Sequence, residues 1–328
     1  MVNALDWMLT LGDWWSPVVV LAVFGLSSAL MLWRLECMTG RGVEGTVLGT
    51  LVMPYCSGMG NLIFAGLLVA QGGPGGEVVI NSLVNNVTNL TLLLGLPALI
   101  WGLQVTLKKG KVKERRRRRI HRLSLLLTVL AGIFFTGALW ALGSDGVLTR
   151  GDAIVLVGLF FFWQVFEVFE VLKANVRENR RTSGWVFLDF GLLLAGAYGL
   201  YCSIEWIVGW IEAGGAGWLS MENLGWFTGL LMVLPNAGLA FYYAMRQRPD
   251  IVASSQLGDG HICIPLCIGL FGLFHPIEVP GMFGMSLLVL GVAYGIHSLS
   301  LLLFGGIPRW VGAVLVGGYG YFLWSGLV

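Results

Sequence analysis

Asn81, Asn85 and Asn89 recur every fourth residue through the stretch INSLVNNVTNLTLLLGL (80–96). A helix puts all three amides on one face. A second stretch, SSQLGDGHICIPLCIGL (254–270), sets Ser255, Asp259 and Cys263 at the same spacing. Both stretches are apolar enough to read as membrane segments. Polar groups in hydrocarbon need partners, so each face should look into a protein interior or a water-filled cavity. The chemistry on offer is coordination by oxygen atoms around a single charge. Asp259 supplies that charge, and a carboxylate at such a depth is expected to carry a cation or a proton.

The elements that position these faces are membrane spans. The chain has 328 residues, of which 56% are hydrophobic and 12% charged, a balance that no soluble domain needs. Windows of about 20 apolar residues predict spans over 16–35, 43–70, 78–106, 121–142, 152–172, 184–211, 222–245, 251–274, 280–303 and 307–327. The beginning, MVNALDWMLTLGDWW, has neither a basic region nor a small-residue cleavage site, so no removable signal peptide is expected. Five cysteines lie in or beside apolar spans and predict no disulfide framework.

Charge orients the spans. With the N-terminus outside and ten crossings, all but Arg150 of the 20 Lys and Arg residues fall on the inner side. That bias fits the positive-inside rule and predicts both termini outside. The run Arg115 to Arg119 reads as part of that signal, placed to touch anionic lipid, and not as a nucleic-acid site. Trp7, Trp14, Trp15, Trp206, Trp210 and Trp218 fall near the outer boundary, as an aromatic belt would. Five spans per half is an odd number, so the second half enters the membrane inverted relative to the first. Such inverted repeats place a site at mid-membrane where broken helices meet. Pro54 and Pro235 lie within the second and seventh spans and predict the breaks, each just ahead of a polar-faced span.

In this order the segments resemble the calcium/cation antiporter superfamily, which includes the sodium/calcium exchangers. LVMPY (51–55) and MVLPN (232–236) are similar to its proline motif. NSLVNNVTNLTLLLG (81–95) and SSQLGDGHICIPLCIG (254–269) are similar to its second motif, and DGVLTRGDAIVLVGLF (145–160) to its link into the fifth span. The resemblance covers nearly the whole chain. It implies an all-α protein of ten transmembrane helices in two inverted five-helix repeats. The first repeat has spans one to three in 1–107 and spans four and five in 123–180, with a basic cytoplasmic loop at 108–122 between them. The second repeat occupies 181–328.

The resemblance implies secondary cation transport by antiport, with Na⁺, H⁺ or Ca²⁺ as the transported ion, no cofactor, and a bacterial inner membrane as the location. Carried over by motif, the site residues are Asp259, Asn85, Asn89, Asn236, Tyr55, Cys263, Asn81 and Ser255. Tyr55 and Asn236 stand where the family has cation-ligating glutamates. One carboxylate among amides makes a weak cage for Ca²⁺, which prefers about 6–8 oxygens with several carboxylates, and suits a monovalent cation or a proton better. Loss of both glutamates also supports an alternative: a non-transporting scaffold or complex subunit with a protein partner. His261, Cys263 and Cys267 include soft-metal ligand types but face differently on a helix, so packing is expected there. His297 is expected to be a satisfied core histidine. No nucleophile–base pair has catalytic spacing, so no enzyme is expected.

Overall fold

The structure, a computed structural model, describes residues 15–40, 53–104, 112–175, 184–214 and 217–327. Expectations that fall on Trp7, Trp14, Arg41, residues 43–52, Lys108 to Lys111 and Arg177 to Arg181 lie outside those residues, as do the side chains of Trp15, Pro54, Arg115 to Arg119, Lys173 and Trp218. The protein is built from helices: α1 (Trp15–Gly40), α2 (Met53–Gln71), α3 (Gly75–Thr88), α4 (Leu94–Trp101), α5 (Val112–Leu142) and α6 (Arg150–Asn175). They are followed by α7 (Val186–Gly214), α8 (Leu224–Met245), α9 (Pro249–Ile262), α10 (Gly269–Phe274), α11 (Phe283–Phe304) and α12 (Arg309–Leu327). A π-helical segment, Asn89–Leu93, joins α3 to α4, and another, Cys263–Ile268, joins α9 to α10. Each pair therefore forms one rod, 75–101 and 249–274.

Among the described residues, eight helical segments are long and apolar enough to cross a membrane, and Tyr55–Gln71 is a shorter apolar helix. Large apolar side chains face outward along the other helices, among them Phe162, Phe187, Leu303 and Trp324. In water that surface would be a severe liability; in a bilayer it is the surface that lipid covers. The protein is an integral membrane protein. The two polar-faced rods lie innermost. Of their most apolar stretches, 78% of Gly75–Trp101 and 72% of Pro249–Phe274 are buried, against 22% of Arg150–Phe169.

Two short antiparallel pairs clip the halves together. β1 (Leu103–Gln104) pairs with β4 (Gly306–Ile307), and β2 (Val147–Leu148) pairs with β3 (Ile277–Glu278). β1 follows the first rod and β3 follows the second, while β2 and β4 occupy matching links between later helices. Exchanging the halves maps one clip onto the other. The π segments, at matching places in the two rods, obey the same exchange.

Two expectations are corrected. The helix α8 runs unbroken across Pro235, whereas Pro54 is the second residue of α2 and the residues just before it, 43–52, lie outside the described residues. A membrane helix tolerates an internal proline when neighbouring groups absorb the one lost hydrogen bond. Among the described residues, the irregular backbone lies at the π segments instead. Trp206, expected at the lipid boundary, is only 5% exposed and stacks on Trp210 at 6.3 Å.

The rod 75–101 packs closely on α8 because Gly225 and Gly229 carry no side chain. A Cβ at Gly229 would sit 2.9 Å from the Asn81 carbonyl oxygen and 2.9 Å from Val84 Cβ. We expect Gly229→Val to force this seam apart and to destabilise the protein by about 1–3 kcal/mol. Thermal unfolding in detergent would check this; an unchanged melting temperature would show that the seam yields freely.

Candidate functional site

α9 carries Asp259 into the centre of the protein, where it is 0% exposed. Its carboxylate is held from the first half of the chain. Ser57 Oγ, on α2, donates to Oδ1 at 3.0 Å, and Asn89 Nδ2 donates to Oδ2 at 2.7 Å. One turn along its own helix, Cys263 Sγ approaches Oδ2 at 3.7 Å. Asn236, on α8, faces the same carboxylate without completing a hydrogen bond, and its Nδ2 has no partner. Among the described residues no salt bridge reaches Asp259. A fully buried negative charge is met by neutral donors alone.

The network continues along α3. Asn89 Nδ2 also donates to Asn85 Oδ1 at 2.8 Å, and Asn85 Nδ2 donates to Asn61 Oδ1 at 3.3 Å. One turn earlier, Asn81 Nδ2 donates to Thr228 Oγ1 on α8 at 3.0 Å. The four-residue spacing places the amides as the sequence predicts, and the helices on either side supply their partners. Several oxygens are left over. Asn81 Oδ1 and Asn89 Oδ1 are buried without a hydrogen-bond partner. Rotating an amide about its last torsion exchanges donor for acceptor. Asn89 can therefore hold the carboxylate through its NH₂ or present its oxygen to a cation beside it.

The other expected residues divide. Ser255 donates to the Val252 carbonyl at 3.2 Å and accepts from Gln256, so it stands beside the network and not in it. Tyr55 is half-buried, with its ring edge-on to Phe160 at 6.2 Å, and among the described contacts it does not reach Asp259. His261 lies one position past Gly260 on the far face of α9. Its Nε2 is 2.9 Å from the Thr128 carbonyl, and its ring packs edge-on between Phe135 and Trp163. His297 is satisfied at one nitrogen only: Nε2 meets the Leu90 carbonyl, within the π segment, at 2.7 Å, and Nδ1 has no partner. Among the described residues no three His, Cys, Asp or Glu side chains converge to hold a metal.

Sequence reasoning missed Ser57, Asn61 and Thr228. Ser57 and Asn61 carry a readable signal, since they repeat the four-residue polar spacing directly after Pro54. Thr228 carries none, being a lone threonine in an apolar helix.

Comparison with known proteins agrees with this fold. Residues 13–169 match the family model described as sodium/calcium exchanger protein. No curated protein sequence matches the chain. Among solved structures, the sodium-calcium exchanger NCX_Mj soaked with Na⁺ and 1 mM Sr²⁺ superposes with a TM-score of 0.68 at 17% identity, covering 92% of this chain and 94% of that one. The same exchanger in 100 mM Na⁺ and 10 mM Sr²⁺ gives 0.67 at 18% identity, covering 94% and 96%. The chain shares the fold of this sodium-calcium exchanger.

Proposed function

From that fold and a centre with one uncompensated carboxylate, we propose that this protein is a secondary cation antiporter with an altered ion site. The observation that carries the reading is Asp259, fully buried, bonded by Ser57 and Asn89 from the other half, and paired with no basic residue among the described residues. A charge so placed is unfavourable unless a mobile cation or proton visits it. One negative charge with amide and hydroxyl oxygens balances one monovalent cation. Na⁺ or H⁺ therefore fits this centre better than Ca²⁺, which calls for more carboxylate.

Ten spans in two inverted repeats complete the reading. α2 and α12 would join the eight long apolar segments, and the exchange symmetry of the two strand clips and two π segments supports the inversion. Both termini would lie outside, with the basic segment 108–122 against anionic lipid on the inner face of a bacterial inner membrane. Alternating access would then expose Asp259 to each side in turn. Tyr55, packed on Phe160 where the family has a glutamate, favours the second reading, a scaffold that keeps the fold without transport.

The test is flux in proteoliposomes under a Na⁺ or pH gradient, with Na⁺, Ca²⁺ and Mn²⁺ movement recorded. Flux that depends on Asp259 supports the antiporter; no flux of any cation from folded protein supports the scaffold. The charge argument makes a further prediction. Asn236→Asp adds a second carboxylate beside Asp259 and should move selectivity toward divalent ions. We expect Ca²⁺ to raise the melting temperature of the variant and to leave the parent unmoved. If Ca²⁺ protects both equally, net charge does not set the selectivity.

A further inference from the structure

Three carboxylates are buried among the described residues: Glu77, Asp189 and Asp259. Asp189 is neutralised by Arg34 at 3.4 Å. The other two have no basic residue within ion-pair distance among the described residues, and they stand at opposite ends of one row. Glu77 lies four residues before Asn81 on α3, so the spacing 77, 81, 85, 89 is a single stripe along one helix face. At its far end Asn89 donates to Asp259. Twelve residues of helix put Glu77 about 18 Å from Asn89, roughly half the thickness of the hydrocarbon.

The near end of the stripe runs in the seam with α8. Glu77 Oε2 accepts the Gly225 N–H at 2.5 Å, and Asn81 Nδ2 donates to Thr228. Asn81 Oδ1, one turn inward of Glu77, is 0% exposed and has no partner. Glu77 itself is 9% exposed, at the end of the rod farthest from the basic segment 108–122. Gly76 beside it adjoins the backbone of Glu278, whose exposed side chain adds negative charge at the same end. The start of α9 differs, because there Asp250 is paired with Arg248 at 3.3 Å. Among the described residues, the two buried carboxylates left without counter-charge therefore stand at the Gly75 end and at the centre of one polar row.

We propose that Glu77 is the entrance site of the cation path: it takes a small cation at the Gly75 end of α3 and hands it along Asn81 and Asn85 to Asp259. This rests on the transport reading above. An anionic entrance raises the local cation concentration and is felt most when the cation is dilute. The competing role is plain. The Gly225 N–H is an unpaired donor at the start of α8, and Glu77 caps it.

Glu77→Gln separates the two roles, since its amide oxygen still accepts from Gly225 while the charge is gone. In uniformly oriented proteoliposomes, Na⁺ is titrated on either side and Na⁺-driven flux is recorded. Glu77→Gln should raise the half-saturating Na⁺ on the Gly75 side about tenfold, with the maximal rate and the opposite side nearly unchanged. Equal half-saturation in Glu77→Gln and the parent, with Glu77→Ala melting lower, overturns the proposal in favour of a cap. Flux that needs Asp259 but not Glu77 removes the entrance site and leaves the transporter. No flux in the parent removes both.

Discussion

Asp259→Asn is expected to reduce gradient-driven cation flux to the level of protein-free vesicles while the protein stays folded. The substitution keeps size and shape. An asparagine oxygen still accepts from Ser57 or from Asn89, so most of the hydrogen bonding around the position survives. Only the charge is lost, and among the described residues it is the one charge at the centre. Cation coordination by neutral oxygens alone, in a dehydrated site, forfeits the Coulomb attraction that offsets loss of the hydration shell. Removing an uncompensated buried charge should also leave the melting temperature equal or higher. Flux and melting measured on the same preparation check both halves. Undiminished transport by Asp259→Asn would mean that the ion path lies elsewhere in the fold.

Asp189→Leu is expected to destabilise the protein by about 3–5 kcal/mol, because it strands Arg34 in the interior without its counter-charge. The pair joins α1 to α7, with Asp189 side chain 0% and Arg34 side chain 10% exposed. The guanidinium also lies 3.5 Å from the centre of the Trp33 ring. The double variant Arg34→Met, Asp189→Leu should recover most of the loss, since apolar residues of similar volume replace a buried pair at little penalty. Melting of the two single variants and the double variant in detergent is the measurement. Losses that simply add would show that the two side chains act independently.

These two sites differ in how plainly the sequence announces them. Spacing carried Asp259, Asn85 and Asn89, because a four-residue polar repeat in an apolar span has few uses, and the structure brings all three together. Arg34 and Asp189 stand 155 residues apart and occur once each in apolar stretches. Only packing makes them a pair. The eight long apolar segments among the described residues were legible because hydrophobicity alone specifies them. The π segments were not, since an extra residue per turn leaves no mark in composition. Proline misled in the other direction. Pro235 predicts a break by its missing N–H, yet α8 continues because its flanking turns hold. Trp206 shows the same limit for aromatics: the residue type favours a boundary, but the α7 surface that carries it is buried.

The strand clips carry a consequence for synthesis. β1 and β4 stand about two hundred residues apart, and at ordinary elongation rates the partner emerges on the order of 10–40 s later. Through that interval the first half sits in the membrane unfinished. Asn81 has no Thr228 to meet, Asn89 has no Asp259, and β1 offers an unpaired edge. The nascent half must be sheltered by the insertion machinery or by lipid until its counterpart arrives. Each half of this chain thus completes the polar contacts of the other.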